Sequence, residues 1–220
     1  MSAKTLSLTE PLRAYLLDVG VREDAVLASL RERTAALPES RMQICAEQGA
    51  LLTLLTRLLG ARRALEVGTF TGYSSICIAR GLVDGGRLTC CDVSDDWTSI
   101  AREAWSEAGI ADRVELRLAP AVETLDALLA DGHESTFDLA FVDADKESYL
   151  AYHERALRLL RPGGVALYDN VLWGGAVLDE DDQRASTIAI REFNRALAAD
   201  ERVDLVLVPI GDGLTVARRR

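Results

Sequence analysis

Two apolar runs in this 220-residue sequence end in hard oxygen ligands. Phe141-Val142 leads into Asp143-Ala144-Asp145-Lys146, and Leu167-Tyr168 leads into Asp169-Asn170. If the runs are neighbouring strands of one sheet, Asp143, Asp169 and Asn170 meet at one rim. Two carboxylates and an amide oxygen suit Mg2+ or Ca2+, with water or substrate in the remaining positions. A zinc site is not expected, because the only histidines are His133 and His153 and no cysteine pair has the spacing. Helix capping would explain any one of these acids; three hard ligands at adjacent tips point to a cation.

Lys146 follows on the same rim. Of the 25 basic residues 23 are Arg, and Lys occurs only at positions 4 and 146. Arg cannot lose its proton in practice, whereas Lys can where its surroundings disfavour charge, as beside a divalent ion. With no Ser/His/Asp or Cys/His set nearby, Lys146 is the expected general base. An ion pair with Asp143 or Asp145 is the competing role at this stage.

A second group of residues surrounds a glycine turn. Leu65-Glu66-Val67-Gly68-Thr69-Phe70-Thr71-Gly72-Tyr73-Ser74 has the form of a strand, a tight turn and a helix start. The spacing is G-x-x-x-G without a following Lys, which argues against a dinucleotide fingerprint and a Walker loop. Glu66 beside the turn would repel a pyrophosphate and welcome an ammonium. The next strand ends at Asp92, where a carboxylate can accept from a ribose diol or cap the helix that follows. Ala119-Pro120-Ala121 after the third strand offers a small-residue wall for an adenine face. Together these features indicate an adenosine ligand carrying an amino-acid amine.

The elements that must position these residues alternate. Strands are expected at 63–67, 87–91, 114–118, 137–142 and 165–168, with helices at 74–82, 97–108, 121–130, 148–160 and 187–199. Such alternation gives right-handed crossovers and a parallel sheet covered on both faces. Strands at 203–208 and 214–218 are joined by a connection too short for a helix, and should add an antiparallel hairpin. Residues 1–60 read as helical: Thr9-Glu10-Pro11 starts a helix, 23–36 is amphipathic, and leucines 51, 52, 54, 55, 58 and 59 form one broad apolar face. The expected fold is α/β: a Rossmann-like, seven-stranded, mostly parallel sheet with a terminal hairpin and helices on both faces. It forms a single domain over 1–220, with a helical cap at 1–60 and the core at 61–220.

Composition narrows the partners. At 49% hydrophobic the chain can bury a full core, and its formal charge of −10 argues against nucleic acid or an anionic membrane as partner. No apolar run reaches the roughly 18 residues of a membrane span, and the first residues lack the apolar stretch of a secretory leader. Cys45, Cys77, Cys90 and Cys91 have no C-x-x-C spacing and read as reduced thiols, so a cytoplasmic location is expected. His133 and His153 read as surface or helix residues, Asp179-Glu180-Asp181-Asp182 as a solvated insertion, and Arg218-Arg219-Arg220 as a solvated tail.

The glycine-turn decapeptide at 65–74, Phe141-Val142-Asp143-Ala144-Asp145-Lys146 and Tyr168-Asp169-Asn170-Val171-Leu172-Trp173 resemble the cation-dependent O-methyltransferases, a family that includes the caffeoyl-coenzyme A and catechol enzymes. The match to the former type and its bacterial relatives is the stronger, and it extends to Glu47-Gln48-Gly49 and Gly211-Asp212-Gly213. The resemblance implies S-adenosylmethionine as methyl donor, bound by Glu66, Gly68, Thr69, Ser74, Asp92, Ala121, Asp143 and Asp145, with the backbone around Met42 and Ile44 closing over it. It implies a divalent cation (Mg2+, with Ca2+ or Mn2+ as alternatives) on Asp143, Asp169 and Asn170. Lys146 would assist proton removal and Trp173 would wall a flat phenolic acceptor with two vicinal hydroxyls. It also implies a homodimer built through residues 1–60 and the hairpin. Gly174 departs from the plant pattern, which places a polar substrate contact there. A non-catalytic S-adenosylmethionine-binding protein and a nucleic-acid methyltransferase are the alternatives; intact ligands and Lys146 weigh against the first, and the net charge against the second.

Overall fold

A computed structural model describes residues 6–220; Lys4 lies outside the described residues. Three helices come first: α1 (Glu10–Gly20), α2 (Ala25–Ala35) and α3 (Ala46–Leu58). Then β1 (Arg63–Val67), α4 (Tyr73–Gly81), β2 (Arg87–Asp92), α5 (Asp95–Glu107), β3 (Val114–Leu118), α6 (Ala121–Ala130), β4 (Phe137–Val142), α7 (Tyr149–Leu159) and β5 (Leu160–Tyr168) alternate. The chain closes with α8 (Ala185–Ala198), β6 (Val203–Val208) and β7 (Leu214–Arg219).

The seven strands form one sheet in the order β3-β2-β1-β4-β5-β7-β6. β1 to β5 are parallel, and β7 pairs antiparallel to both β5 and β6. The chain steps outward from β1 to β3, then returns to place β4 on the other side of β1. That reversal opens a crevice outside the carboxyl ends of β1 and β4, where open α/β sheets hold their ligands.

Strand side chains alternate between two apolar layers. On one face Leu139, Phe141 and Leu167 pack with Leu52, Ile76 and Ile78 from α3 and α4. On the other, Val67, Val142 and Tyr168 pack with Leu125, Tyr149 and Phe193 from α6, α7 and α8. Both faces are covered, so the central strands are largely apolar, with Glu66 of β1 a buried exception.

Several local expectations are corrected. β5 starts at Leu160, five residues early: Phe137 pairs with Leu160 and the register resumes at Leu139–Val165, so Arg161-Pro162-Gly163-Gly164 is absorbed as a bulge. On α3, Leu52 is fully buried but Leu54 and Leu58 are exposed, because only one stripe of the helix meets α4 and the sheet. Arg218 and Arg219 belong to β7, and Arg219 donates to Ser135 and to the Leu160 carbonyl. His153 is buried between Tyr168 (Nδ1 to Oη, 2.6 Å) and Asp200 (Nε2 to Oδ2, 2.9 Å). Among the described residues no helix is long and apolar enough to cross a membrane.

Candidate active site

A cavity of about 680 Å3 opens at the crevice, within the range of small-molecule sites. Its two ends are built differently.

One end is made by the turns after β1 and β2. Gly68 has φ +91°, and a Cβ there would sit 1.9 Å from the Asp143 carbonyl oxygen, so only glycine allows β1 and β4 to approach. The Asp92 carboxylate organises this end: Oδ2 accepts from the amides of Thr69 (2.9 Å) and Phe70 (2.8 Å), and Oδ1 from those of Val93 (2.7 Å) and Ser94 (2.9 Å). The cap of α5 is Ser94, whose hydroxyl accepts from the Trp97 amide, so Asp92 does not serve as that cap. Ala119, Ala121, Thr69 and Ser74 line the wall, as do Phe70 and Trp97, whose rings meet edge-to-face at 5.3 Å.

Of the residues expected to bind the donor, Glu66 alone does not reach the cavity wall. It points toward α4, fully buried, accepting from Ser75 Oγ (2.5 Å) and Cys90 Sγ (3.3 Å) while Oε1 has no hydrogen-bond partner among the described residues. Burial pushes its carboxyl up to about 7, against the opposing pull of the Ser75 hydroxyl.

Met42 and Ile44 lie on the segment between α2 and α3 that covers this end. Arg31 holds that segment, donating to the Ile44 carbonyl and to Gln43 Oε1 (3.3 Å each) while stacking 4.4 Å over the Tyr73 ring. Glu23 accepts from both Arg31 Nε (3.0 Å) and the Tyr73 hydroxyl (2.5 Å). Sequence reasoning missed this clamp, since its members stand up to fifty residues apart.

The other end is the tips of β4 and β5. Strand hydrogen bonds carry past the last paired residues, from Asp143 N to Val67 O (2.8 Å) and from Asp169 N to Val142 O (3.0 Å), which fixes both acids at one rim. Asp169 is 2% exposed and has two donors, Gln48 Nε2 to Oδ2 (2.7 Å) and the Asn170 amide to Oδ1 (2.7 Å). Burial first, and the neighbouring Asp143 charge second, push its carboxyl up. Gln48 comes from α3, so the helical cap reaches into the site.

Lys146 is also buried. Its Nζ donates to Asp143 Oδ1 (3.1 Å) and to the Tyr149 hydroxyl (2.7 Å), while Asp145 accepts instead from Tyr152 Oη (2.5 Å). The ion pair weighed for Lys146 therefore forms with Asp143 and not with Asp145. Asn170 (φ +57°) and Trp173 (φ +50°) adopt left-handed backbone, which costs a bulky residue energy unless its surroundings enforce it. Here they do: Val171 and Leu172 donate to the carbonyls of Gly213 and Asp212, the Gly174 amide donates to Asp212 Oδ1 (2.6 Å), and Trp173 Nε1 donates to Thr187 Oγ1 (3.1 Å). Trp173 thus lines the cavity with its ring centroid 5.7 Å from Lys146 Nζ.

The residues fit a hard cation. Two carboxylates, one of them deeply buried and hydrogen-bonded only once at each oxygen, repel each other beside an amide side chain. A divalent ion would offset that repulsion and use the open acceptor positions.

A family model described as O-methyltransferase matches residues 18–220. The chain belongs to the O-methyltransferase family. Among curated relatives of this O-methyltransferase, a mouse protein named catechol O-methyltransferase domain-containing protein 1 is 44% identical over 207 residues, covering 94% of this chain and 79% of that one. A caffeoyl-CoA O-methyltransferase of Eucalyptus gunnii is 38% identical over 224 residues, covering 98% of this chain and 90% of its own. The crystal structure of an O-methyltransferase from Bacillus cereus in complex with SAH superposes with a TM-score of 0.87 at 36% identity, over 96% of this chain and 97% of that one.

Proposed function

We propose that this O-methyltransferase moves a methyl group from S-adenosylmethionine to one hydroxyl of a small catechol-like acceptor, with a divalent cation held by Asp143, Asp169 and Asn170. The observation that carries this proposal is the buried Asp169 beside Asp143 at the rim of the same cavity that the glycine turn lines. The SAH in the Bacillus cereus structure and the catechol and caffeoyl names of the relatives support the donor and acceptor classes.

The donor end suits an adenosine and amino-acid ligand: small alanine walls, backbone of the 68–70 turn, Ser74, and the 42–44 segment above. Bound S-adenosylmethionine supplies the electrophilic methyl, and a bound divalent ion supplies Lewis acidity and a template for two vicinal oxygens. An isolated phenol has a pKa of about 10, so removal of its proton must be assisted at neutral pH. Lys146 Nζ, at the same rim, receives that proton. Trp173 provides a flat wall that orients the ring, and orientation of this kind contributes several kcal/mol, up to about 7–11 in the best cases. The described residues act as one unit, with 6–60 as a cap that contributes Gln48 and the 42–44 cover. The exposed Leu54, Leu58 and Tyr15, together with the free edge of β6, support a homodimer, and the free thiols support a cytoplasmic setting.

The test is turnover of labelled donor with a panel of catechols, with Mg2+ and after chelation. The expected outcome is metal-dependent methylation of vicinal diphenols, at least a thousandfold reduced in Asp143→Ala and Asp169→Ala, with SAH affinity held within a few-fold in Asp169→Ala. Full-rate methylation by the chelated enzyme would overturn the metal role.

A further inference from the structure

Tyr149 is a buried residue in contact with Lys146 that has no part in the function proposed above. It is fully buried at the start of α7, its ring packed edge-to-face on Phe193 at 5.3 Å and tilted against Tyr168. Packing explains the ring but not the hydroxyl. Its oxygen lies 2.7 Å from Lys146 Nζ, 3.0 Å from the Asp169 carbonyl and 3.3 Å from the Val142 carbonyl. A carbonyl can only accept, so the single phenolic hydrogen goes to one of these strand-end carbonyls. The oxygen must then accept from Nζ.

This direction constrains Lys146. Nζ has three positions besides its bond to Cε. One N–H goes to Tyr149 Oη and one to Asp143 Oδ1 at 3.1 Å. The third position, an N–H in the ammonium and a lone pair in the amine, has no hydrogen-bond partner among the described residues and belongs to a residue that lines the cavity beside Trp173.

Resting on the role given to Lys146 above, we propose that Tyr149 is a positioning residue: its hydroxyl ties Lys146 Nζ to the tips of β4 and β5 and reserves the third nitrogen position for the acceptor hydroxyl. Without that tie, Nζ is free to rotate toward the second carboxylate, Asp169, and spend its remaining hydrogens there.

Tyr149→Phe keeps the ring and removes only the tie. The expected result is a kcat at least tenfold lower, with the donor KM within twofold. In a Lys146→Met background the same change should cost less than twofold, because contacting residues that act as a unit are not additive. A merely structural role would carry the full tenfold loss into both backgrounds. A second measurement needs no turnover and no ligand. The chain has two lysines, so 13C-lysine NMR resolves Lys146 directly. Its two ε-methylene protons should be inequivalent in the wild type and merge in Tyr149→Phe. Wild-type kcat in Tyr149→Phe with Lys146→Met impaired, or equal losses in both backgrounds, would overturn the tie alone. Lys146→Met at wild-type rate would overturn the role of Lys146 and this proposal with it. If Tyr149→Phe does not fold, merged ε-methylene protons in the wild type would still sink the proposal, and split ones would sustain it.

Discussion

Asp92 and Asp169 end parallel strands of the same sheet, both are buried, and both line one cavity. Their surroundings are opposite. Asp92 accepts four backbone amides at 2.7–2.9 Å and has no carboxylate neighbour bonded to it. Asp169 has one amide and one glutamine, and faces the charge of Asp143. Burial alone therefore does not tell what a strand-tip carboxylate does. The first is satisfied by the chain and shapes the turn that would receive the donor. The second has one donor at each oxygen and a like charge beside it, which suits the ion ligand proposed above.

The same isosteric change should separate them. In Asp92→Asn the new NH2 faces two backbone N–H groups, leaving two buried donors unpaired. Chemical denaturation of the ligand-free protein should show a loss of about 3 kcal/mol, and SAH binding should weaken with it.

Glu66, behind the wall, sharpens the contrast through pH. Its carboxyl is raised from 4.5 to about 7 by burial, so the folded chain keeps a proton that the unfolded chain has given up. Stability from this group is full below pH 4.5 and is lost as pH rises through about 7. Glu66→Gln should therefore stabilise the protein by about 2 kcal/mol at pH 8 and leave it unchanged near pH 4.5, read from paired melting curves.

The smallest effect is at the proposed ion site. Asp169→Asn removes a buried like charge, and Gln48 can turn its amide to match the new NH2. Without metal, the variant should equal the wild type or exceed it by about 1 kcal/mol. Mg2+ should raise the Tm of the wild type and not that of the variant. A loss as large as that of Asp92→Asn would erase the distinction between the two ends.

Much of the fold was legible because the central strands are short apolar runs separated by helices of even length. The limits of β1, β3, β4, α6 and β6 coincide with those read from the pattern. The start of β5 was not, since Pro162 and Gly163 signal a turn whether or not a neighbouring strand pairs across it. Asp143, Asp145, Lys146, Asp169 and Asn170 were visible because they follow apolar runs directly, so the chain itself delivers them to a strand end. Arg31 and Tyr149 were not visible, and Gln48 stood out only within the matched Glu47-Gln48-Gly49, without a role. Each lies on a helix where an arginine, a glutamine or a tyrosine is ordinary, and its significance arises from a partner on another element. His153 lies on α7, as a helix residue, but its burial was not visible for the same reason: nothing local tells that Asp200 and Tyr168 will enclose it.

By itself the sequence determined the alternation of elements, and with it the parallel order and the rim where the acids gather, because periodicity and turn chemistry act over a few residues. Only the tertiary structure decided which carboxylate is satisfied by backbone amides and which is left with one donor at each oxygen beside a like charge. Hydrogen-bond donors and neighbouring charges act across a few ångströms of space, and at Asp169 the donor comes from Gln48, 121 positions away in the chain.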